Sequence, residues 1–168
     1  MSMGKPIWVA DTGLQRFSAA LLDLGLECRV RTLPDTTRTA SDAASAIGCS
    51  QGRIVKSIVF KALTSDKPVL VLVSGKNTAS IDKLSSLYGE TLGKADAKFV
   101  KDSTGYAIGG VPPLGHTQMI DTYLDDDLFA YATVWAAAGD GYSVFEIETT
   151  KLLAATLGTQ ADIKNLSQ

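Results

Sequence analysis

The sequence predicts a mixed α/β fold of the α+β kind, with one curved mixed β-sheet flanked by helices. Segments with helical spacing of apolar residues alternate along the chain with short segments rich in β-branched residues. Apolar residues make up 45% of the 168 residues, enough to form a sizeable core. We therefore expect a single domain over residues 1–168.

Helices are predicted where apolar residues recur at three- and four-residue spacing between capping residues. Thr39 followed by Asp42 has the spacing of a capping box, which indicates a short helix ending near Gly48. The predicted helices cover residues 13–25, 39–48, 80–88, 96–103 and 150–157.

Strands are predicted where β-branched and aromatic residues dominate short segments. Two of these segments, 54–62 and 68–75, are expected to pair with each other. The predicted strands cover residues 27–33, 54–62, 68–75, 129–136 and 142–148.

Composition narrows the functional classes. The net charge is −2 and no block of Lys or Arg stands out, so overall charge does not indicate a nucleic-acid partner. No apolar run has membrane-spanning length, and the N-terminal stretch lacks the apolar region of a signal peptide. Cys28 and Cys49 suit two reduced thiols better than a disulfide scaffold. These features predict a cytoplasmic protein without a membrane partner.

Lys56 lies within the predicted strand 54–62. Alternate residues share a face, and both faces of this strand are largely apolar, so we expect it to be central and covered on both sides. A buried lysine amine must find acceptors or lose its proton. The alternative is a lysine near the strand start whose amine reaches solvent, and spacing alone favours that alternative.

The stretch GYAIGGVPPLGH, from Gly105 to His116, combines a Gly-Gly pair with a Pro-Pro pair. Glycines permit close approach of a ligand to the backbone, and the prolines fix the exit of the loop. Such a rigid loop can hold a carbonyl or phosphate through its N–H groups. An ordinary tight turn explains the pattern equally well.

Further polar residues are weaker candidates. His116 is the only histidine and could act as a general base, although a structural histidine is the favoured interpretation. Asp121 and the acidic run 125–127 could serve as acid–base groups, but a charge run beside a strand is more often a solvated turn. No metal site is expected, because His116 has no second histidine or nearby cysteine beside it.

Several common motifs are absent. SGKNT at 74–78 is similar to a phosphate-binding loop, but Leu70 stands where that motif requires glycine. The sequence contains no G-x-G-x-x-G, no G-x-S-x-G and no Cys/His zinc pattern. An ATPase, a nicotinamide enzyme, a serine hydrolase and a zinc deaminase are therefore disfavoured, and no cofactor is expected.

Three segments together resemble the YbaK/EbsC family, the free-standing relatives of the editing domain inserted in bacterial prolyl-tRNA synthetases. They are IVKSIVFKA, PVLVLVSGKNTASIDKLSSLYG and DSTGYAIGGVPPLGH, and the resemblance extends from the first helix to LGTQADI at 157–163. It implies the YbaK fold and hydrolysis of misacylated tRNA. The implied partners are the 3′ end of an aminoacyl-tRNA and, as a second partner, prolyl-tRNA synthetase.

The resemblance also implies site residues. The family's strand lysine matches Lys56, which would engage the 3′-terminal adenosine, and Ser57 stands in the place of a small hydroxyl residue. The family's Gly-x-x-Pro loop matches Gly109, Gly110, Val111 and Pro112, whose backbone would hold the aminoacyl ester. Lys56 and Gly110 are the predicted catalytic residues.

The physical chemistry fits this activity. A synthetase pocket rejects a slightly smaller amino acid by only about 1–3 kcal/mol per methylene, so a second, hydrolytic pocket restores fidelity. Hydrolysis of an activated ester needs a placed water and donors for the developing oxyanion, but neither a nucleophile triad nor a metal.

The chain departs from some family members at three positions. Leu33 and Val144 stand where some members carry Tyr and Asp, and WAAAG at 135–139, which includes Ala137, stands where some carry a Ser. A pocket lined by Leu33, Val111 and Ala137 is more apolar than one for cysteine, which points to alanine or another small amino acid on tRNA(Pro). The alternative function is a non-catalytic module of the same fold that binds tRNA or a synthetase.

Overall fold

The computed structural model describes residues 12–35 and 37–166, and the N-terminal stretch without a predicted signal peptide lies outside them. The described residues confirm the mixed α/β class. The helices are α1 (Gly13–Asp23), α2 (Ala40–Ile47), α3 (Ile81–Tyr88), α4 (Ala97–Thr104) and α5 (Thr149–Thr156). The strands are β1 (Arg29–Thr32), β2 (Val55–Ala62), β3 (Pro68–Ser74), β4 (Leu92–Lys94), β5 (Asp121–Asp125), β6 (Thr133–Ala137), β7 (Ser143–Glu148) and β8 (Thr159–Ala161).

The described strands form two sheets, whereas the sequence predicts one. The large sheet has the order β4-β2-β3-β5-β8 and the small sheet the order β1-β7-β6. The two sheets meet at a single bridge between Ile54 and Trp135. The pairing does not continue beyond this bridge, because residues Gln51–Arg53 form a 3-10 turn just before β2 and cannot pair with β6 as an extended strand.

The large sheet is apolar on both faces. On β3, Leu70 and Leu72 pack into the core between the sheets, together with Phe145. Val71 and Val73 on the same strand belong to a second cluster on the other face. All four β3 side chains are fully buried. The prediction that strand 54–62 is central and covered on both sides is confirmed, because β2 lies between β4 and β3 and its Val59 and Phe60 pack into these two clusters on opposite faces.

Helix α2 covers the small sheet. Ala43 and Ala44 pack on Leu33, Ile54 and Trp135 in a third apolar cluster. Because the contacting residues on α2 are alanines, the helix covers this surface with little side-chain volume of its own. The helix thus leaves space beneath its first turn.

The sequence analysis did not predict β5, and it interpreted the acidic run 125–127 as a solvated turn. Strand β5 pairs in parallel with β3, and Asp125, the first residue of the run, is completely buried at its end. Asp126–Ala130 then form a 3-10 turn instead of the start of the predicted strand 129–136. The side chain of Asp125 accepts a hydrogen bond from Asp127 N, which caps this turn and delays β6 until Thr133.

Two hydrogen bonds connect residues within the loop from Gly105 to His116. Tyr106 donates its hydroxyl to Gly115 O at 3.0 Å, and His116 Nε2 donates to Pro112 O at 2.7 Å. Burial lowers the pKa of His116, and the hydrogen bond to Pro112 partly opposes this shift. His116 therefore has a structural role, because its hydrogen bond holds the end of the loop to Pro112.

We expect the folded protein to lose stability in mild acid, because protonation places a positive charge on the buried ring of His116. Because the pKa of His116 lies below 6.5 in the folded protein, the unfolded chain binds a proton more readily as the pH falls through that value. The free energy of unfolding of the wild type should therefore fall between pH ~7.5 and ~5.5, where no other side chain has its usual pKa. The measurement is urea denaturation across this range.

The matched variant is His116→Gln, whose amide can still donate to Pro112 O but does not titrate. Its free energy of unfolding should depend less on pH over the same range. Equal pH dependence in the two proteins would show that His116 does not couple stability to pH.

Candidate active site

A cavity of about 230 Å³ opens where the two sheets separate. Its size suits a group no larger than an amino acid, since pockets for drug-sized ligands begin near 300 Å³. The apolar lining consists of Leu33, Ala40, Ala43, Ile54, Val55, Val111, Trp135, Ala136, Ala137 and Val144. The polar lining consists of Thr37, Arg38, Thr39, Lys56, Ser57, Asp140, Tyr142 and Ser143, and Gly109 and Gly141 complete the wall.

Arg53 ties the start of β2 to the small sheet. Its guanidinium donates to the carbonyl and to the hydroxyl of Thr133 on β6, and it lies 3.4 Å from Glu146 on β7. Thr133 in turn donates to Glu146 at 2.9 Å. This network holds the first residues of β2, which include Lys56, in a fixed position relative to β6.

The first turn of α2 forms one rim of the cavity. Thr39 Oγ1 accepts Asp42 N at 3.1 Å, and Asp42 Oδ2 accepts the N–H groups of Arg38 and Thr39. These hydrogen bonds, that from Arg38 first, lower the pKa of Asp42. The predicted capping box is therefore present, and it fixes the rim residues Arg38 and Thr39.

Lys56 is partly buried in the cavity wall. Its Nζ donates to the backbone carbonyl of Asn77, in the turn after β3. Burial lowers the pKa of Lys56, and the negative charge of Asp125 partly opposes this shift. The amine thus has a defined acceptor, rather than solvent alone as in the alternative that spacing favoured.

Ser57 carries an unusual hydroxyl. Its Oγ is buried, and it is the one buried side-chain polar atom among the described residues that has no hydrogen-bond partner. Leaving such a group unpaired costs about 1–3 kcal/mol. Because Ser57 lines the cavity, a bound molecule with a polar atom beside it would satisfy this hydroxyl.

The glycine loop closes another side of the cavity. Gly110 N donates to Ala107 O at 3.0 Å, which forms a β-turn, and Gly109 at the third position has φ 92°. This positive φ favours glycine. A Cβ on Gly110 would lie 2.7 Å from Asp140 Cα, so this glycine permits close packing of the loop on the β6–β7 turn.

The structure brings six of the predicted site residues together at the cavity. They are Leu33, Lys56, Ser57, Gly109, Val111 and Ala137. Gly110 and Pro112, the other two predicted residues of the loop, are buried and do not line the cavity.

Two predicted site residues lie elsewhere. His116 faces a separate groove beside Leu114, and Asp121 is exposed in another groove beside Tyr88. The loop leads away from the cavity after Val111, which carries both residues to other surfaces.

Sequence reasoning missed several residues at the site. Arg38, Trp135 and Asp140 line the cavity, and Asn77 holds Lys56. The capping box was a usable signal for the α2 rim. Trp135 and Asp140 flank the predicted residue Ala137 in sequence, but nothing in the pattern indicated their side of the sheet.

Residues 12–35 and 37–166 contain neither a membrane-spanning helix nor a metal-ligand cluster. None of their helices combines the length and apolar character needed to span a bilayer. Within the same ranges, no three His, Cys, Asp or Glu side chains cluster as metal ligands would.

Comparison with known proteins identifies the family. The sequence profile of the family described as aminoacyl-tRNA editing domain matches residues 34–155. The chain is 28% identical over 128 residues to EbsC of Enterococcus faecalis, named as a candidate Cys-tRNA(Pro)/Cys-tRNA(Cys) deacylase, covering 74% of this chain and 76% of that protein. It is 30% identical over 132 residues to the proline–tRNA ligase of Caldicellulosiruptor bescii, covering 78% of this chain and 22% of the ligase.

A solved structure agrees with these sequence matches. A crystal structure described as a candidate trans-editing enzyme for prolyl-tRNA synthetase superimposes with a TM-score of 0.87 and 41% identity, covering 94% of this chain and 99% of that one. The predicted resemblance to the YbaK/EbsC family is confirmed. With the cavity and the fold in agreement, this chain belongs to the aminoacyl-tRNA editing domain family.

Proposed function

We propose that this chain is an aminoacyl-tRNA deacylase that acts in trans and hydrolyses the ester of a small amino acid, such as alanine, on tRNA(Pro). The observation that carries the proposal is an amino-acid-sized cavity, in a member of the editing family, that contains Lys56, an unpaired Ser57 hydroxyl and the glycine loop.

The amino acid side chain faces the apolar part of the cavity. Leu33, Ala137 and Val144, the three positions that depart from some family members, all line it. An apolar wall favours alanine over cysteine or serine, because burying an unpaired polar group is unfavourable. The similar protein EbsC is named for Cys-tRNA, so this preference separates the two proteins.

Lys56 binds the 3′-terminal adenosine of the tRNA, and Ser57 hydrogen-bonds a polar atom of the aminoacyl group. The donation of Lys56 to Asn77 O leaves its other two N–H bonds for the substrate. The fixed position of both residues at the start of β2 orients the ester in the cavity.

The glycine loop stabilises the developing charge. Water attacks the carbonyl carbon, the bond to the ribose oxygen breaks, and this oxygen takes a proton, which yields the free amino acid and the tRNA. The ester carbonyl oxygen, on which negative charge develops, needs hydrogen-bond donors from the loop. Gly110 N already donates to Ala107 O within the turn. Gly109 and Val111, which line the cavity, therefore supply the N–H groups, while the neighbouring ribose hydroxyl orients the water.

Prolyl-tRNA synthetase is the proposed second partner. The net charge of −2 gives the chain little general attraction for the tRNA backbone. Meeting the tRNA while a synthetase holds it would compensate for this weak attraction.

The test is deacylation of Ala-, Ser-, Cys- and Pro-tRNA(Pro). We expect hydrolysis of Ala-tRNA(Pro), and a loss of roughly 100-fold or more in Lys56→Ala, because substrate placement is lost. Lys61→Ala is the matched control, since Lys61 lies on the same strand but pairs with Asp66 away from the cavity. Its rate should equal that of the wild type.

Two outcomes would contradict the proposal. An equal loss of deacylation rate in both lysine variants would show that Lys56 has no specific role in the reaction. Absence of hydrolysis across the panel by folded wild-type protein would favour the binding module instead.

Ser57→Ala separates function from stability. Removal of an unpaired buried hydroxyl should leave the free energy of unfolding unchanged or raise it by up to about 1 kcal/mol, while deacylation slows because the substrate loses a partner. The control is Ser74→Ala, whose Oγ donates to Gly52 O at 2.7 Å. That variant should lose about 1 kcal/mol in denaturant unfolding. A clear loss of stability in Ser57→Ala would indicate that the hydroxyl already has a partner in the free protein.

A further inference from the structure

The buried carboxylate of Asp125 has no part in the reaction described above. It lies at the end of β5 and is completely buried. Its Oδ2 accepts Ser74 N at 3.0 Å and Asn77 Nδ2 at 2.9 Å, and its Oδ1 accepts Asp127 N at 2.9 Å. A buried charge is tolerated when donors surround it in this way.

Two of these donors belong to the turn after β3. Asn77 N donates to Ser74 O at 2.9 Å, which closes the turn, and the Asn77 amide also donates to Asp127 at 2.8 Å. The backbone carbonyl of the same Asn77 accepts the amine of Lys56. Asp125, Asn77 and Lys56 therefore form a continuous chain of hydrogen bonds that ends at the cavity.

The charges around Lys56 distinguish Asp125 from its neighbours. Asp125 is the charged group that raises the pKa of Lys56, against the larger lowering by burial. Asp127 is paired with Lys164 at 2.8 Å. Asp126 is exposed, and Lys76 is exposed on the turn itself.

We propose that Asp125 is a positioning residue for Lys56, which it holds in place at the cavity through Asn77. The SGKNT segment, which is similar to a phosphate-binding loop in sequence, serves here as the support for the lysine. The functional importance of this arrangement rests on the proposed deacylase activity. The arrangement itself is a property of the free protein and can be tested without substrate.

The experiment is NMR of protein labelled with ¹³C-lysine, with the Lys56 signals assigned by Lys56→Arg. The two ε protons of a fixed lysine have different chemical shifts, whereas those of a freely rotating lysine coincide. We expect two distinct shifts for Lys56 in the wild type and in Asp126→Asn, which removes the adjacent, exposed charge. In Asp125→Asn the two shifts should merge, because an amide cannot accept all three N–H groups.

Asn77→Ala provides the second variant, should Asp125→Asn fail to fold. It keeps the backbone carbonyl but removes the link to Asp125, so the shifts of Lys56 should merge here as well. Distinct shifts in either folded variant would overturn the proposal, as would merged shifts in the wild type.

A deacylation assay provides the second part of the test. If the wild type hydrolyses Ala-tRNA(Pro), Asn77→Ala should reduce the rate on the order of 10²-fold through misplacement of Lys56, and Asp126→Asn should not. A wild type without activity would refute the proposed function, yet the NMR result would still decide the role of Asp125. An unchanged rate in Asn77→Ala, with an active wild type, would refute the positioning role alone.

Discussion

The separation of the two sheets at the single bridge between Ile54 and Trp135 is the constraint on which the site depends. Beyond this bridge β2 continues into the large sheet, and β6 continues into the small one. The alanine-rich helix α2 covers the gap without filling it. The result is a small apolar cavity at the start of a rigid strand, which suits the proposed deacylase in both size selection and the placement of a fixed lysine.

Two buried polar groups near this cavity differ in their hydrogen bonding. Asp125 is fully hydrogen-bonded and stabilises the surroundings of Lys56. Ser57 lines the cavity, and its buried Oγ has no partner, which costs stability in the free protein. Because nearly all buried polar groups in proteins are paired, this contrast supports the proposed roles of Asp125 as a support for Lys56 and of Ser57 as a contact to the substrate.

The parts of the fold that depend on local pattern could be predicted from the sequence. The pairing of β2 with β3 and the capping box at Thr39 are examples. The cavity residues Leu33 and Ala137, in contrast, were predicted only from the resemblance to the family. The short strands β4 and β8 were missed because three residues carry no usable periodicity. The burial of Asp125 was missed because its donors Ser74 and Asn77 lie about fifty residues earlier in the chain. Such long-range partners leave no local signal.

The most direct test of the account is a crystal structure with adenosine that carries alanine through a non-hydrolysable 3′-amide. The account predicts the alanyl group in the cavity between the sheets, with its methyl against Leu33 and Ala137 and a polar atom within hydrogen-bond distance of Ser57 Oγ. Binding of the analogue elsewhere, with the cavity empty, would contradict it.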